Sequence, residues 1–380
     1  MTTDASAGPQ LPGFQPRPGQ PAFYDPERRA WQVFRYEEVQ RVLSDYTTFS
    51  SNRGGKLDPA DPSTANVETI VNQDPPRHRQ MRALMLQAFT PRAVARMEPH
   101  IRRLAHMLID EVVGRGEMDV VEAVAAPLPL LVIAELLGVP QDDQQRLRRL
   151  SDTTVQFKTE DSAKARQMIQ QYFLALVAQR RAEPREDLIS ALIAAKVDEQ
   201  SLSDQEVVDY SLTLFVAGNE TTRGLIGSAM VCFDLFPQAL AEVRADPGLL
   251  PDAIEEVVRY IPPVSQFPRV AAVDTQIDGQ DVRAGEWVMP WIQSANRDPA
   301  QFADPEVFDI RRNPNRHLSF GHGPHFCLGT SLARMEARIA LEVLLERLAE
   351  IRFLHAAPLE PVIRPIGFGF RSVPIAFTPA

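Results

Sequence analysis

Apolar residues recur at helical spacing along most of this chain, and prolines cut the pattern into segments. The clearest segment opens at Ser203 and Glu206, an S-x-x-E pair suited to satisfy the free N–H groups of a helix start. Helical patterning continues to Phe236, and Pro237 stops it. Such a helix is about 50 Å long at ~1.5 Å per residue, enough to cross a whole domain. Its middle, LFVAGNETTRGLIG, is apolar on most sides and is expected to be buried. Yet it carries Gly218, Gly224, Gly227 and Glu220. Each glycine costs about 1 kcal/mol against alanine, and departures from local rules tend to mark function. Close packing at the glycines with an ion-paired Glu220 is the competing structural account. A second helical pattern, LGTSLARMEARIALEVLLERL, repeats Leu332, Met335 or Ile339, Val343 and Leu344 on one face. Strand-like pieces fall at residues 269–273, 287–291 and 363–377. The sum is mainly α with small β-sheets. A Pro- and Gly-rich tail over residues 1–20 is expected to precede a single domain over 21–380.

Composition narrows the class. The 380 residues are 44% hydrophobic and carry a net charge of -10. A large core is available, and the acidic balance argues against nucleic acid as a partner. The N-terminus lacks a basic start followed by an apolar run. The most apolar stretch, residues 124–139, is broken by Pro127, Pro129 and Glu135. A cytoplasmic protein with no membrane anchor is the expectation. Two cysteines cannot staple a chain of this length. Cys232, inside MVCFDLF, reads as a buried inert thiol.

Cys327 needs another account. It lies in FGHGPHFCLG, where His317, His322, His325 and Cys327 crowd several metal-ligand side chains together. A zinc hydrolase built on those four is one possibility. Structural zinc, however, favours paired cysteines, and catalytic zinc draws ligands from a helix or from distant segments. Here a lone cysteine stands just before a strong helix, where the dipole and unpaired N–H groups favour thiolate. Gly321 and Gly323 permit a tight turn, and Gly329 lets the chain lie close to a flat ligand.

FGHGPHFCLG resembles the haem-binding signature of the cytochrome P450 family in its soluble bacterial form. The resemblance runs from about Ala22 to Phe377. It implies the family's fold, a triangular helical domain with a long central helix crossing the haem. It implies heme b, iron protoporphyrin IX, with Cys327 as the proximal iron ligand. AGNETT resembles the family's oxygen-activation motif, which assigns Glu220 as the acid and Thr221 as the alcohol. Splitting dioxygen needs protons delivered into a pocket that otherwise stays dry. Thr221 is also suited to bond a backbone carbonyl and hold the helix locally open. AIEEVVRY resembles the family's E-x-x-R helix, with Glu256 and Arg259 on one face and Arg312 or His317 as candidate third partner. DPPRHRQMR maps His78 and Arg82 onto the propionate-binding helix, and Arg269 and His325 match the remaining propionate contacts.

The resemblance implies a monooxygenase that inserts one oxygen atom from O2 into a small or medium apolar organic substrate, by hydroxylation or epoxidation. The chain holds no Rossmann glycine fingerprint and no iron–sulfur cysteine set. Electrons are therefore expected from a ferredoxin and its reductase, or from a flavodoxin-type donor. Arg311, Arg312, Arg334 and Arg338 are candidates to dock that donor. Val216, Ala217, Ser265, Phe267 and Phe370 are the candidate substrate contacts, with residues 50–71 and 153–172 as a mobile lid. A haem-thiolate binding or sensor protein without turnover is the rival account, and intact Glu220 and Thr221 argue against it.

Overall fold

The computed structural model describes residues 16–54, 69–154, 160–197, 200–354, 359–363 and 367–380. It is mostly helical, with five small sheets among the described residues. The longest helix is Asp204–Leu235. The Ser203 hydroxyl accepts from the Glu206 N–H at 3.2 Å, and the Glu206 carboxylate accepts from the Ser203 N–H at 2.8 Å. Both halves of the expected cap are thus formed. Pro237 opens the next helix, Pro237–Ala245, instead of extending this one.

From Gly224 to Phe233 every residue of the long helix is buried. Its glycines admit close neighbours. A Cβ at Gly218 would lie 3.2 Å from Ile133, on the helix Pro127–Leu136. One at Gly224 would lie 3.2 Å from Pro263 and 3.3 Å from the Phe368 carbonyl oxygen. The strand pair Pro361–Ile363 with Phe368–Phe370 lies close to the helix at this glycine, where a Cβ would be a tight fit. Cys232 sits in the same buried stretch, where burial pushes its thiol pKa up and keeps it unreactive.

A five-stranded sheet joins distant parts of the chain, in the order Phe23–Asp25, Ala30–Val33, Trp287–Pro290, Arg269–Ala271, Phe49–Ser50. Ala30–Val33 runs parallel to Trp287–Pro290, and the other pairs are antiparallel. Ser50 pairs with Val270, so the segment leaving Ser50 starts beside Arg269. The two strands before residue 35 were not foreseen, because elements of three or four residues are too short to show an alternation. The expected strand at 363–377 divides instead between that hairpin and a second sheet, in which Pro374–Pro379 pairs with Leu348–Phe353 and Glu117–Asp119. Residues 364–366 lie outside the described residues.

Residues 1–15 of the expected tail also lie outside them, as do 55–68 and 155–159 of the expected lid. Arg17 lies over the rings of Phe23 and Phe34, and its N–H donates to Ser294 Oγ at 2.9 Å. Among the described residues no single helix is long and apolar enough to cross a membrane.

Candidate functional site

The cysteine loop is built by its glycines. Gly321 and Gly323 take φ of +74° and +69°, a region that side chains strain to enter. A Cβ on Gly323 would also lie 2.6 Å from Ser44 Cα, so the loop is pressed against the helix Tyr36–Ser44. The turn closes where the Cys327 N–H donates to the Phe320 carbonyl at 2.8 Å. Gly329 caps the helix Thr330–Arg347, and the Thr330 hydroxyl donates to the Cys327 carbonyl at 2.7 Å. Burial pushes the Cys327 thiol pKa up, against the Thr330 hydroxyl, the Gly329 N–H, Arg82 and Arg334, which favour thiolate. Cys327 and Phe326 nonetheless keep exposed surface.

Beside the loop lies a buried group of cations. The His78 and His325 rings stand 4.1 Å apart between centroids. Burial, with Arg82 nearby, lowers the pKa of His78 to about 4. Burial, with Arg269, His78, Arg53 and Arg82 around it, lowers that of His325 to about 2. Both imidazoles are neutral at physiological pH. Burial holds Arg269 at about 10, and burial with Arg269 beside it holds Arg53 at about 9. Asp74 offsets the charge on Arg53, His78 and Arg269, and is itself bound by Ser50 and by the Ser51 N–H. The structure therefore brings together all four residues predicted for the propionates. It adds Arg53, which sequence reasoning missed; nothing in SSNRGG marks this arginine for burial.

Glu256 and Arg259 form a completely buried pair through two hydrogen bonds of 2.7 Å. Arg259 also donates to the carbonyls of Asn296, Pro305 and Val307. Glu256 accepts from Arg312 Nε at 3.2 Å, so Arg312 is the third partner. His317 bonds Glu255 instead, at 3.1 Å. The arginines expected to dock a redox partner are all engaged within the fold: Arg334 with Glu255, Arg338 with Glu98 and Glu342, Arg311 with Glu242, and Arg312 with Glu256. They are not an open patch of unengaged charge.

On the long helix, the Thr221 hydroxyl donates to the Ala217 carbonyl at 2.7 Å. Both Glu220 carboxylate oxygens are shut off from solvent. The Asn219 amide donates to Ser151 Oγ at 2.9 Å and ties this turn to the helix Gln141–Thr154. Val216 is 53% exposed and Ala217 is exposed as well, in a helix that is entirely buried from Gly224 to Phe233. These two line open space. Ser265 and Phe370 are buried, and Phe370 meets Phe368 edge to face. Phe267 lies under two guanidiniums, 5.2 Å from Arg53 and 5.5 Å from Arg269.

Haem fits these residues. The guanidiniums of Arg53 and Arg269, both buried, and that of Arg82, half-buried, gather around His325, and guanidinium donors suit the carboxylates of a haem. Two propionates would meet these donors close to Cys327. Zinc does not fit: among the described residues no group of three or more His, Cys, Asp or Glu is gathered for a metal ion. His317 is held by Glu255, and His325 packs against His78.

Comparison with known proteins agrees. The family profile Cytochrome P450 matches residues 242–375. Cytochrome P450 109 of Bacillus spizizenii is 38% identical over 370 residues, covering 94% of this chain and 89% of its own. Cyclomarin C epoxidase CymV of Salinispora arenicola is 39% identical, covering 92% and 91%. The crystal structure of CYP109E1 from Bacillus megaterium in complex with testosterone superposes with a TM-score of 0.85 at 38% identity, covering 94% and 96%. The chain belongs to the cytochrome P450 family: it is a haem monooxygenase that oxidises an organic substrate with O2 and electrons from separate redox proteins.

Proposed function

We propose that Cys327 is the axial ligand of the haem iron, that His78, Arg82, Arg269 and His325 hold the propionates, and that Glu220 and Thr221 control proton delivery. The observation that carries this reading is the buried cationic group beside an open cysteine. Thiolate-ligated haem supplies the oxygen-activating chemistry when bound. The protein's part is to hold, orient and keep dry. The Gly329 N–H is suited to spread the negative charge of the sulfur. Thr221 spends its proton on the Ala217 carbonyl and so presents oxygen lone pairs to a proton donor. Glu220, enclosed next to it, is suited to pass a proton inward without opening the pocket to water.

The substrate is an apolar organic molecule of small to medium size, hydroxylated or epoxidised against Val216 and Ala217. Ser265, Phe267 and Phe370 complete the proposed contact set. The epoxidase among the relatives supports including epoxidation, and the testosterone-bound relative makes steroids the first probes. The chain beyond residue 20 acts as one domain, in the cytoplasm, where two unpaired cysteines stay reduced.

The test is the absorbance spectrum of the reduced, carbon monoxide-bound protein, followed by oxygen uptake matched to product. Wild type should show the thiolate signature, and Cys327→Ser should lose it. Haem bound through an imidazole, or no haem at all, would overturn the reading.

A further inference from the structure

We infer that the Glu255–Arg334 pair sets how strongly the Cys327 sulfur donates electrons to iron. Arg334 is a positioning residue that fixes one positive charge against the cysteine loop, and Glu255 is its counterweight. The inference rests on the haem reading above and deepens it, because this pair tunes the iron ligand instead of holding the haem.

Three observations meet at Arg334. Its guanidinium lies 4.4 Å from the centre of the Phe320 ring. The carbonyl of that same Phe320 accepts the Cys327 N–H at 2.8 Å. The cation thus rests on the residue that closes the cysteine turn. Next, the fork of Arg334 is fixed. Its Nε and Nη2 each donate to Glu255 at 2.6 Å, and a planar fork on a carboxylate leaves the charge little freedom. His317 steadies that carboxylate from the segment leading into the loop. Its Nδ1 accepts from the Ser319 N–H at 3.3 Å, which leaves Nε2 to donate to Glu255 at 3.1 Å. Finally, Arg82 and Arg334 both favour the thiolate form of Cys327. Arg82 also stands among the cations around His78 and His325, where a propionate would draw its charge. Arg334 is left to act on the sulfur.

A positive charge near the sulfur draws electron density away from iron and favours the state with one more electron, and the carboxylate opposes it. Loss of either partner should therefore shift the haem in opposite senses. A mechanical brace between two helices would lose the same bonds whichever partner were removed.

The test measures the midpoint reduction potential of the haem-loaded protein at neutral pH, where Glu255 is ionised. The iron–sulfur stretching frequency of the ferric form is the second readout. Wild type is compared with Arg334→Gln, Arg334→Lys, Glu255→Gln and the double variant of Arg334→Gln with Glu255→Gln, and the exposed Arg283→Gln serves as control. Arg334→Gln should disfavour the reduced state roughly tenfold, a shift of about 59 mV to more negative potential, and should strengthen the iron–sulfur bond. Glu255→Gln should shift both readouts the other way, and the double variant should fall between the two single ones. Arg334→Lys keeps the charge and should lie nearer to wild type than Arg334→Gln, and Arg283→Gln should not move. Shifts of one sign in both single variants overturn the inference. Should Arg334→Gln hold too little haem to measure, Glu255→Gln decides alone, and a zero or negative shift there also overturns it. A wild type without the thiolate signature in its carbon monoxide spectrum would instead sink the underlying haem reading, so the two failures are distinguishable.

Discussion

Glu255 and Arg334 meet through two hydrogen bonds of 2.6 Å each, and the pair ties the helix Leu250–Tyr260 to the helix that follows Cys327. Burial opposes ionisation of Glu255, but Arg334 and His317 outweigh it and bring its pKa down to about 2. A carboxylate lowered on folding stabilises the native state above its unfolded pKa, near 4.5, and loses that contribution as pH falls toward 2. The contribution is on the order of 1–3 kcal/mol after discounting for the half-open setting. Glu255→Gln should therefore show a shallower loss of stability between pH 5 and pH 3 than wild type, read from denaturant midpoints. Parallel curves would refute the linkage.

The neighbouring residue makes a harsher prediction. Glu256 and Arg259 are fully buried, and removing one partner leaves an unpaired charge in the core. Such losses run to about 3–5 kcal/mol. Arg259→Lys keeps the charge but cannot reproduce the two parallel bonds to Glu256 and the three to carbonyls. Both Glu256→Gln and Arg259→Lys should give protein with little haem and a sharply lower melting temperature. Near-normal haem content in Arg259→Lys would show that charge alone suffices.

Two glycines of the cysteine loop should separate conformational strain from overlap. Gly321→Ala puts a side chain at φ +74° with only ordinary contacts, at a cost of about 1 kcal/mol. Gly323→Ala meets similar strain and also drives a Cβ to 2.6 Å from Ser44 Cα. Gly323→Ala should be clearly the more damaging in melting temperature and haem occupancy. Equal effects would mean that the helix Tyr36–Ser44 yields freely.

Thr221→Ala removes a hydroxyl and frees the Ala217 carbonyl. Haem content and fold should be retained. Reducing equivalents should appear increasingly as hydrogen peroxide, with less product per electron pair, while Thr221→Ser keeps most of the coupling. Peroxide yield measured against reductant consumed decides it, and unchanged coupling in Thr221→Ala would remove the hydroxyl from the proton path.

Much of this was legible from local pattern. The cap at Ser203, the stop at Pro237, the E-x-x-R face and the cysteine turn each depend on residues within a few positions of one another. The glycines of the long helix could be flagged as anomalous, but their purpose required knowing that Ile133, Pro263 and Phe368 come up against them. Arg334, Arg338 and Arg311 read as docking charges because Glu255, Glu98 and Glu242, which they meet, are distant in sequence. The choice of Arg312 over His317 at Glu256 had the same origin.

By itself, the order of residues determined the helical class, the long helix and the cysteine turn, and it carried the resemblance that implies haem chemistry. These follow from short-range steric and hydrogen-bonding rules and from a motif confined to ten positions. Tertiary structure decided which charges are spent inside the fold and which converge on one buried place. Arg53 and Arg269 become neighbours only through strand pairing, and His78 and His325 only through the seating of the cysteine loop. Electrostatic roles depend on distance and burial, which a linear sequence does not contain.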